Sequence, residues 1–283
     1  MIVEPAPAKI NLALHVRARR ADGYHTLETL FAFVADGDVL HLDPSGAPGL
    51  RITGPFAAGL SPDDPGNLVL CAEAAFRSQV APVAPGAWLL DKRLPVASGI
   101  GGGSADAAAA LRALARAHGV ARDDPRLFAI AAALGSDVPA CLLGRPALGR
   151  GRGERLDLLP PLPPLAVLLV NPLVPVSTAA VFARWDGVDR GALAHGAPLA
   201  VAIGGRNDLE PPARALAPAI DDVLALLAAQ QGVLLARMSG SGATCFALFD
   251  HADDRASAAR AVVASQPGWW CLETTLAAQP HVP

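Results

Sequence analysis

The chain has almost no lysine. Among its 23 basic side chains only Lys9 and Lys92 are lysines, so ordinary surface charge is written as arginine. A retained ammonium then wants a specific task, because a compact point charge approaches a phosphate or a hydroxyl where the wider guanidinium fork does not fit. Tyrosine is scarcer still, with Tyr24 alone. Cysteines are few and scattered: Cys71, Cys141, Cys245 and Cys271 make no C-x-x-C pair and have no histidine at zinc spacing. That excludes a zinc-ribbon reading and favours reduced, buried thiols. A large excess of charge of one sign is missing too. A net charge of -3 and a pI near 6.1 give no electrostatic case for nucleic acid or an anionic membrane as the main partner, so any phosphate recognition must be local. No basic segment leads into an uninterrupted apolar run near the start, and no export signal is visible. The most apolar later stretch, 156–176, is cut by Pro160, Pro161, Pro163, Pro164, Pro172 and Pro175. It cannot supply the roughly 20 continuous helical residues of a bilayer span. A cytoplasmic protein is expected.

What is present is a composition that folds: 283 residues, 52% hydrophobic and 17% charged, enough for one large domain or two modest ones. The Pro-rich segment 160–164 is the best boundary, giving expected domains 1–159 and 160–283. In the first fifty residues, apolar runs at 10–16, 27–34 and 39–42 are separated by Asp-Gly pairs at 22–23 and 36–37, which predicts strands joined by turns. Helical spacing predicts a helix over 67–80, and 87–90 reads as a strand. The alanine-rich run 105–117, closed by Gly119, is the strongest helix signal in the chain. Further helices are expected over 124–134, 178–184, 218–230 and 252–264, with a short element at 135–139. A hairpin is expected within 144–153, and strands at 165–170, 233–238, 244–249 and 269–276. Strands and helices interleave without a regular βαβ repeat, which predicts an α+β fold.

Chemistry concentrates at Pro95-Val-Ala-Ser-Gly-Ile-Gly-Gly-Gly-Ser-Ala-Asp-Ala, directly before the alanine helix. Glycines let a backbone come close to a ligand, and the first turn of a helix offers unpaired N–H groups with partial positive charge. Polyphosphate fits such a place; a flexible turn capped by Ser104 is the alternative. The loop is not a Walker A motif, because no Gly-Lys-Ser/Thr closes it. A Rossmann fingerprint fails as well, since the acids at the right distance, Asp123 and Asp124, fall in a turn before Pro125.

The segment 95–105 resembles the phosphate loop of the galacto-, homoserine, mevalonate and phosphomevalonate (GHMP) kinase superfamily, and Met238-Ser-Gly-Ser-Gly-Ala-Thr244 is similar to its C-terminal glycine motif. Pro7-Ala-Lys-Ile-Asn-Leu12, Asp22-Gly-Tyr-His25, Gly135-Ser-Asp-Val-Pro139 and Asn207-Asp-Leu-Glu210 narrow the resemblance, in that order, to the diphosphocytidyl-methylerythritol kinases. The resemblance implies a two-domain α+β fold with its active site in the interdomain cleft. It implies ATP with Mg²⁺ as phosphoryl donor, and a cytidine diphosphate derivative of methylerythritol as acceptor. By the same resemblance Lys9 and Asp137 are the catalytic pair, Asp137 accepting the proton of the attacking hydroxyl and Lys9 holding that hydroxyl. Nucleotide contacts fall on Asn67, Lys92, Pro95, Val96, Ala97, Ser98, Gly99, Ile100, Gly101, Gly102, Gly103, Ser104 and Ala105. Substrate contacts fall on Asn11, Tyr24, His25 and Phe182, with the aromatic rings and the imidazole meeting the cytosine. Position 105 departs from the family pattern, where a second serine is common. No Asp/Glu/His set has the spacing of a protein-built metal cage, so the ion would arrive with ATP. Homoserine and mevalonate kinases are the rival superfamily readings, as is a non-catalytic nucleotide-binding protein on the same fold.

Overall fold

The computed structural model describes residues 1–277. In chain order the elements are β1 (Ile2–Arg19), β2 (His25–Asp43), β3 (Gly49–Thr53), α1 (Leu68–Gln79), β4 (Ala87–Asp91), α2 (Gly102–Ala117), α3 (Pro125–Leu134), α4 (Val138–Leu143), β5 (Ala147–Gly151) and β6 (Arg155–Leu158). Then come β7 (Ala166–Asn171), α5 (Thr178–Ala183), α6 (Pro198–Gly204), α7 (Glu210–Leu216), α8 (Ala219–Ala228), β8 (Val233–Met238), β9 (Cys245–Phe249), α9 (Ala252–Ser265) and β10 (Trp270–Thr275). Two compact units form. The first comprises Met1–Ala8, Asp36–Val96 and Gly101–Gly144; the second comprises Lys9–Ala35, Ala97–Ile100 and Arg145–Pro283. Compactness thus divides the chain differently from the 159/160 boundary, because the long strands β1 and β2 each contribute to both units.

In the first unit, β4 pairs antiparallel with the end of β2, from Val39↔Asp91 to Asp43↔Ala87, and parallel with β3. Helix α2 packs on α1, α3 and α4. All eleven residues from Ala105 to Ala115 are buried, so α2 is enclosed on every side. Its many alanines follow from that, since small side chains let neighbouring helices come close while keeping helix propensity high. The one guanidinium inside, Arg112, is satisfied by Glu4 at 3.3 Å, the Pro5 carbonyl at 2.6 Å and the Cys141 carbonyl at 3.0 Å.

In the second unit, the start of β2 pairs with β5, from Leu27↔Gly151 to Phe31↔Ala147, and β5 pairs with β6. A four-stranded antiparallel sheet runs in the order β10-β7-β9-β8. Strands β7 and β9 are buried at every residue, which explains why, Asn171 apart, their sequence is a continuous apolar run. Helices α8 and α9 pack on this sheet, and its core gathers Leu168, Val170, Ile220, Val223, Met238 and Phe249 together with Leu14 and Val16 of β1.

Two local expectations are corrected. Asp22-Gly23 is a turn, with Gly23 at φ +85, but Asp36-Gly37 lies inside β2. Gly37 serves close approach: a Cβ there would stand 2.1 Å from the Ala6 carbonyl oxygen. Helix α2 starts at Gly102, three residues before the alanine run, with Gly101 as its N-cap at φ +68. Ser104 is therefore inside the helix and does not cap it. Helices α6 and α7 were not anticipated; both are short and carry proline in their first turn, where the missing N–H costs nothing.

Candidate active site

The glycine loop before α2 is an unusual piece of backbone. Ala97 has φ +52, Gly99 φ +80 and Gly101 φ +68, so three positions within five residues are left-handed. For the alanine this costs about 1–2 kcal/mol, and such strain gathers where the surrounding structure holds a ligand site. No side chain caps α2, which leaves its first N–H groups without an intrahelical partner. The Ala105 N–H already donates to the Gly101 carbonyl at 2.8 Å, so the open donors are those of Gly102, Gly103 and Ser104.

Within the second unit, the loop is tied to Lys9 and to the second glycine motif. The Lys9 backbone N–H donates to the Ile100 carbonyl at 3.0 Å, and the Thr244 N–H donates to the Ser98 carbonyl at 3.1 Å. The Ser239 hydroxyl accepts from the Asn11 N–H at 3.1 Å and donates to the Gly99 carbonyl at 3.0 Å. Gly99 has no room for a side chain: a Cβ would come within 2.5 Å of the Ser239 carbonyl oxygen and 2.7 Å of that of Gly242. Lys9 is 3% exposed. Its ammonium donates to Asn11 Oδ1 at 2.7 Å and stands 5.7 Å from the Phe31 ring centroid. Asn11 is held in turn, Nδ2 donating to Thr29 Oγ1 at 2.8 Å, and Thr29 Oγ1 donates to the Ala13 carbonyl at 2.8 Å. A buried chain Lys9–Asn11–Thr29 thus orients the ammonium.

Asp137, in the first unit, directly precedes α4. Its carboxylate makes no capping bond to that helix, so the helix-cap role does not explain it. Asn67 Oδ1 does cap, accepting from the Val69 N–H at 3.0 Å at the start of α1. Lys92 is buried, and its ammonium donates to Asp38 at 2.5 Å and Asp106 at 2.6 Å. Burial opposes its charge, yet the two carboxylates outweigh that and raise its pKa. Asp106 is pushed up to about 7, by burial first and by Asp38, with Lys92 acting in the opposite direction.

His25 lies ring to ring with Phe182 at 4.9 Å and meets Trp185 edge-on at 5.6 Å. Burial, and then the nearby Arg19, lower its pKa, so the imidazole is neutral at pH 7. Its Nε2 is buried without a hydrogen-bond partner. Tyr24 is half exposed, with the Arg152 guanidinium 4.8 Å from its ring centroid.

Sequence reasoning missed Ser239, Thr29, Asp38, Asp106 and Trp185. Ser239 was inside a motif already singled out; Thr29 and Asp38 carried no local signal. The Asn207-Asp-Leu-Glu motif holds the fold together. Asn207 Nδ2 donates to the Met238 and Gly240 carbonyls, both at 2.8 Å, Asp208 accepts from the Val16 N–H at 2.8 Å, and Glu210 accepts from the Met238 N–H at 3.1 Å. A cleft of ≈ 820 Å³ includes Trp185, Arg206, Asp208, Glu210 and Arg237 in its wall. Among the described residues, no group of three or more His, Cys, Asp or Glu is placed to hold a metal ion, and no helix is long and apolar enough to cross a membrane. No disulfide joins the four cysteines; Cys141 and Cys245 are buried as expected, whereas Cys71 and Cys271 are only half-buried.

Residues 67–145 match the family described as GHMP kinases N terminal domain, and residues 191–267 match GHMP kinases C terminal. The 4-diphosphocytidyl-2-C-methyl-D-erythritol kinase of Rhizorhabdus wittichii is 56% identical over 276 residues, covering 96% of this chain and 94% of that one. That of Novosphingobium aromaticivorans is 52% identical, covering 95% and 90%. A crystal structure of 4-(cytidine 5'-diphospho)-2C-methyl-D-erythritol kinase superposes with a TM-score of 0.75 at 36% identity, covering 97% of this chain and 99% of that one. Homoserine kinase from Cytophaga hutchinsonii superposes with a TM-score of 0.74 at 20% identity and shows the shared fold alone. With its glycine loop, its buried Lys9 and near full-length similarity to these enzymes, the chain belongs to the 4-diphosphocytidyl-2-C-methyl-D-erythritol kinase family of the GHMP kinases.

Proposed function

We propose that this protein transfers the γ-phosphoryl group of ATP to the 2-hydroxyl of 4-diphosphocytidyl-2-C-methyl-D-erythritol, as a cytoplasmic enzyme of non-mevalonate isoprenoid precursor synthesis. The open N–H groups of Gly102, Gly103 and Ser104 and the backbone of 95–101 bind the phosphates, and Asn67 and Lys92 lie on the nucleotide side. Mg²⁺ arriving with ATP would neutralise phosphate charge. Asp137 takes the proton from the 2-hydroxyl as its oxygen bonds to the γ-phosphorus, and ADP leaves with the electrons of the broken P–O bond. Lys9, oriented by Asn11, holds the hydroxyl and offsets charge on the moving phosphoryl group.

The observation that carries the choice of acceptor is His25. A neutral buried imidazole with an unpartnered Nε2, among Phe182, Trp185 and the adjacent Tyr24, suits the hydrogen-bonding edge and the flat face of cytosine. Alcohols such as homoserine or mevalonate have no use for it. Because Phe182 now covers the imidazole, the base displaces that ring on entering. Purified protein supplied with ATP and the cytidylyl substrate releases ADP, and homoserine or mevalonate in its place gives none. Asp137→Ala and Lys9→Ala abolish turnover while the circular dichroism spectrum is kept. Substantial turnover by Asp137→Ala removes the base assignment.

A further inference from the structure

Lys92, assigned above to the nucleotide side, turns its ammonium toward two protein carboxylates. Lys92, Asp38 and Asp106 are 4%, 1% and 4% exposed, and both carboxylates reach Nζ within 2.6 Å. Asp38 has a second duty: its other oxygen accepts from the Arg93 N–H at 2.6 Å and the Leu94 N–H at 2.8 Å, just before the phosphate loop. Asp106 sits just after the loop, within α2. Gly102, the first residue of α2, lies over the cluster: a Cβ there would stand 3.1 Å from Lys92 Nζ and 3.8 Å from the Leu94 Cβ.

We propose that Lys92 is a positioning residue for ATP: clamped between Asp38 and Asp106, its ammonium ties the entry of the phosphate loop at 92–94 to its exit at the start of α2. The inference rests on the nucleotide reading of that loop. A loop with left-handed residues at 97, 99 and 101 is held only if the structure around it over-determines its ends. The buried Lys92–Asp38–Asp106 cluster does this at the first unit's side, because hydrogen bonds to an ammonium are short and directional and lose much when one partner goes. Lysine suits the place and arginine does not. The space beneath Gly102 takes one small ammonium meeting two carboxylates, whereas a guanidinium is wider and planar.

Asp106→Ala is the discriminating variant. It leaves a charge-balanced Lys92–Asp38 pair and so keeps the fold, but it cuts the link to α2. Hydrogen exchange and steady-state kinetics with ATP and the cytidylyl substrate are read together. Amides of 96–103 are expected to exchange about tenfold faster than in the parent, and KM for ATP to rise by about tenfold, the loss of one charge-assisted bond. KM for the acceptor stays within about twofold. Asp106→Asn, which still offers Lys92 an oxygen, restores part of both effects, and Lys92→Arg does not substitute for lysine. The proposal is overturned if loop exchange and KM for ATP are unchanged in Asp106→Ala, or if both KM values and kcat shift together in step with thermal stability, which marks a merely structural role. Titration calorimetry of the parent with ADP tests the nucleotide reading separately. Its failure removes that reading, and the exchange data still decide whether the tie exists.

Discussion

Replacing Gly99 by alanine tests the packing of the phosphate loop on the second glycine motif. Two costs add. A side chain at φ +80 is left-handed, worth about 1–2 kcal/mol against an ordinary residue. Its Cβ would also lie 2.5 Å from the Ser239 carbonyl oxygen, 2.7 Å from the Gly242 carbonyl oxygen and 2.9 Å from the Gly242 nitrogen. All three are backbone atoms, so no side chain can swing away. Overpacking of this kind costs about 1–3 kcal/mol. The total is roughly 2–5 kcal/mol, or about 4–20 °C in melting temperature at about 2–4 °C per kcal/mol. Gly103→Ala is the internal control. Its Cβ meets only the Leu68 Cδ1, at an ordinary 3.7 Å, and alanine is the better helix former by about 0.5–1 kcal/mol. Urea unfolding followed by circular dichroism should therefore show Gly99→Ala clearly destabilised and Gly103→Ala unchanged or slightly stabilised. If Gly99→Ala unfolds at the parent's midpoint, the close approach of loop and motif is wrong, and with it the route by which Ser239 links Asn11 to the loop.

Three further outcomes follow from the same geometry. Arg237, 8% exposed, donates to the carbonyls of Leu12, Ala202 and Gly205; Arg237→Met leaves these without their donor and should cost about 3–5 kcal/mol in urea unfolding. Because the folded pKa of His25 is lowered, the unfolded chain takes up a proton first as pH falls below about 6.5, so stability drops on acidification. KM for the cytidylyl substrate should rise in the same direction, and His25→Phe should flatten the stability trend. Asp106 acts with the opposite sign. With its folded pKa raised to about 7, it keeps a proton that the unfolded chain has lost, so stability falls as pH rises from about 4 to about 7, and Asp106→Asn should remove that slope in a pH series of unfolding midpoints.

Much of the fold could be read locally. The strand at 233–238 and the helices ending near 134 and 184 coincide with their elements to within a residue or two, since each has its own apolar period and its own stop signal. Where local grammar misled, tertiary packing was the cause. Asp36-Gly37 reads as a turn, yet the β1 backbone lies where the Gly37 side chain would be, and the strand continues. Ser104 reads as a cap, yet the left-handed Gly101 starts the helix earlier.

The sequence by itself determined the existence of a glycine loop feeding an alanine helix, the membership of a kinase family, and the suspicion that Lys9 and Lys92 had specific work. It could not say what those two ammonium groups face. Lys9 meets the side-chain oxygen of Asn11, two residues away on its own strand, but the backbone N–H of Asn11 is held by Ser239, 228 residues on. Lys92 meets one carboxylate 54 residues away and another 14 residues away. Side chains announce their chemistry one residue at a time, whereas the field around a charge depends on which distant groups the packed chain brings within about 3 Å of it. Only the tertiary structure decides that.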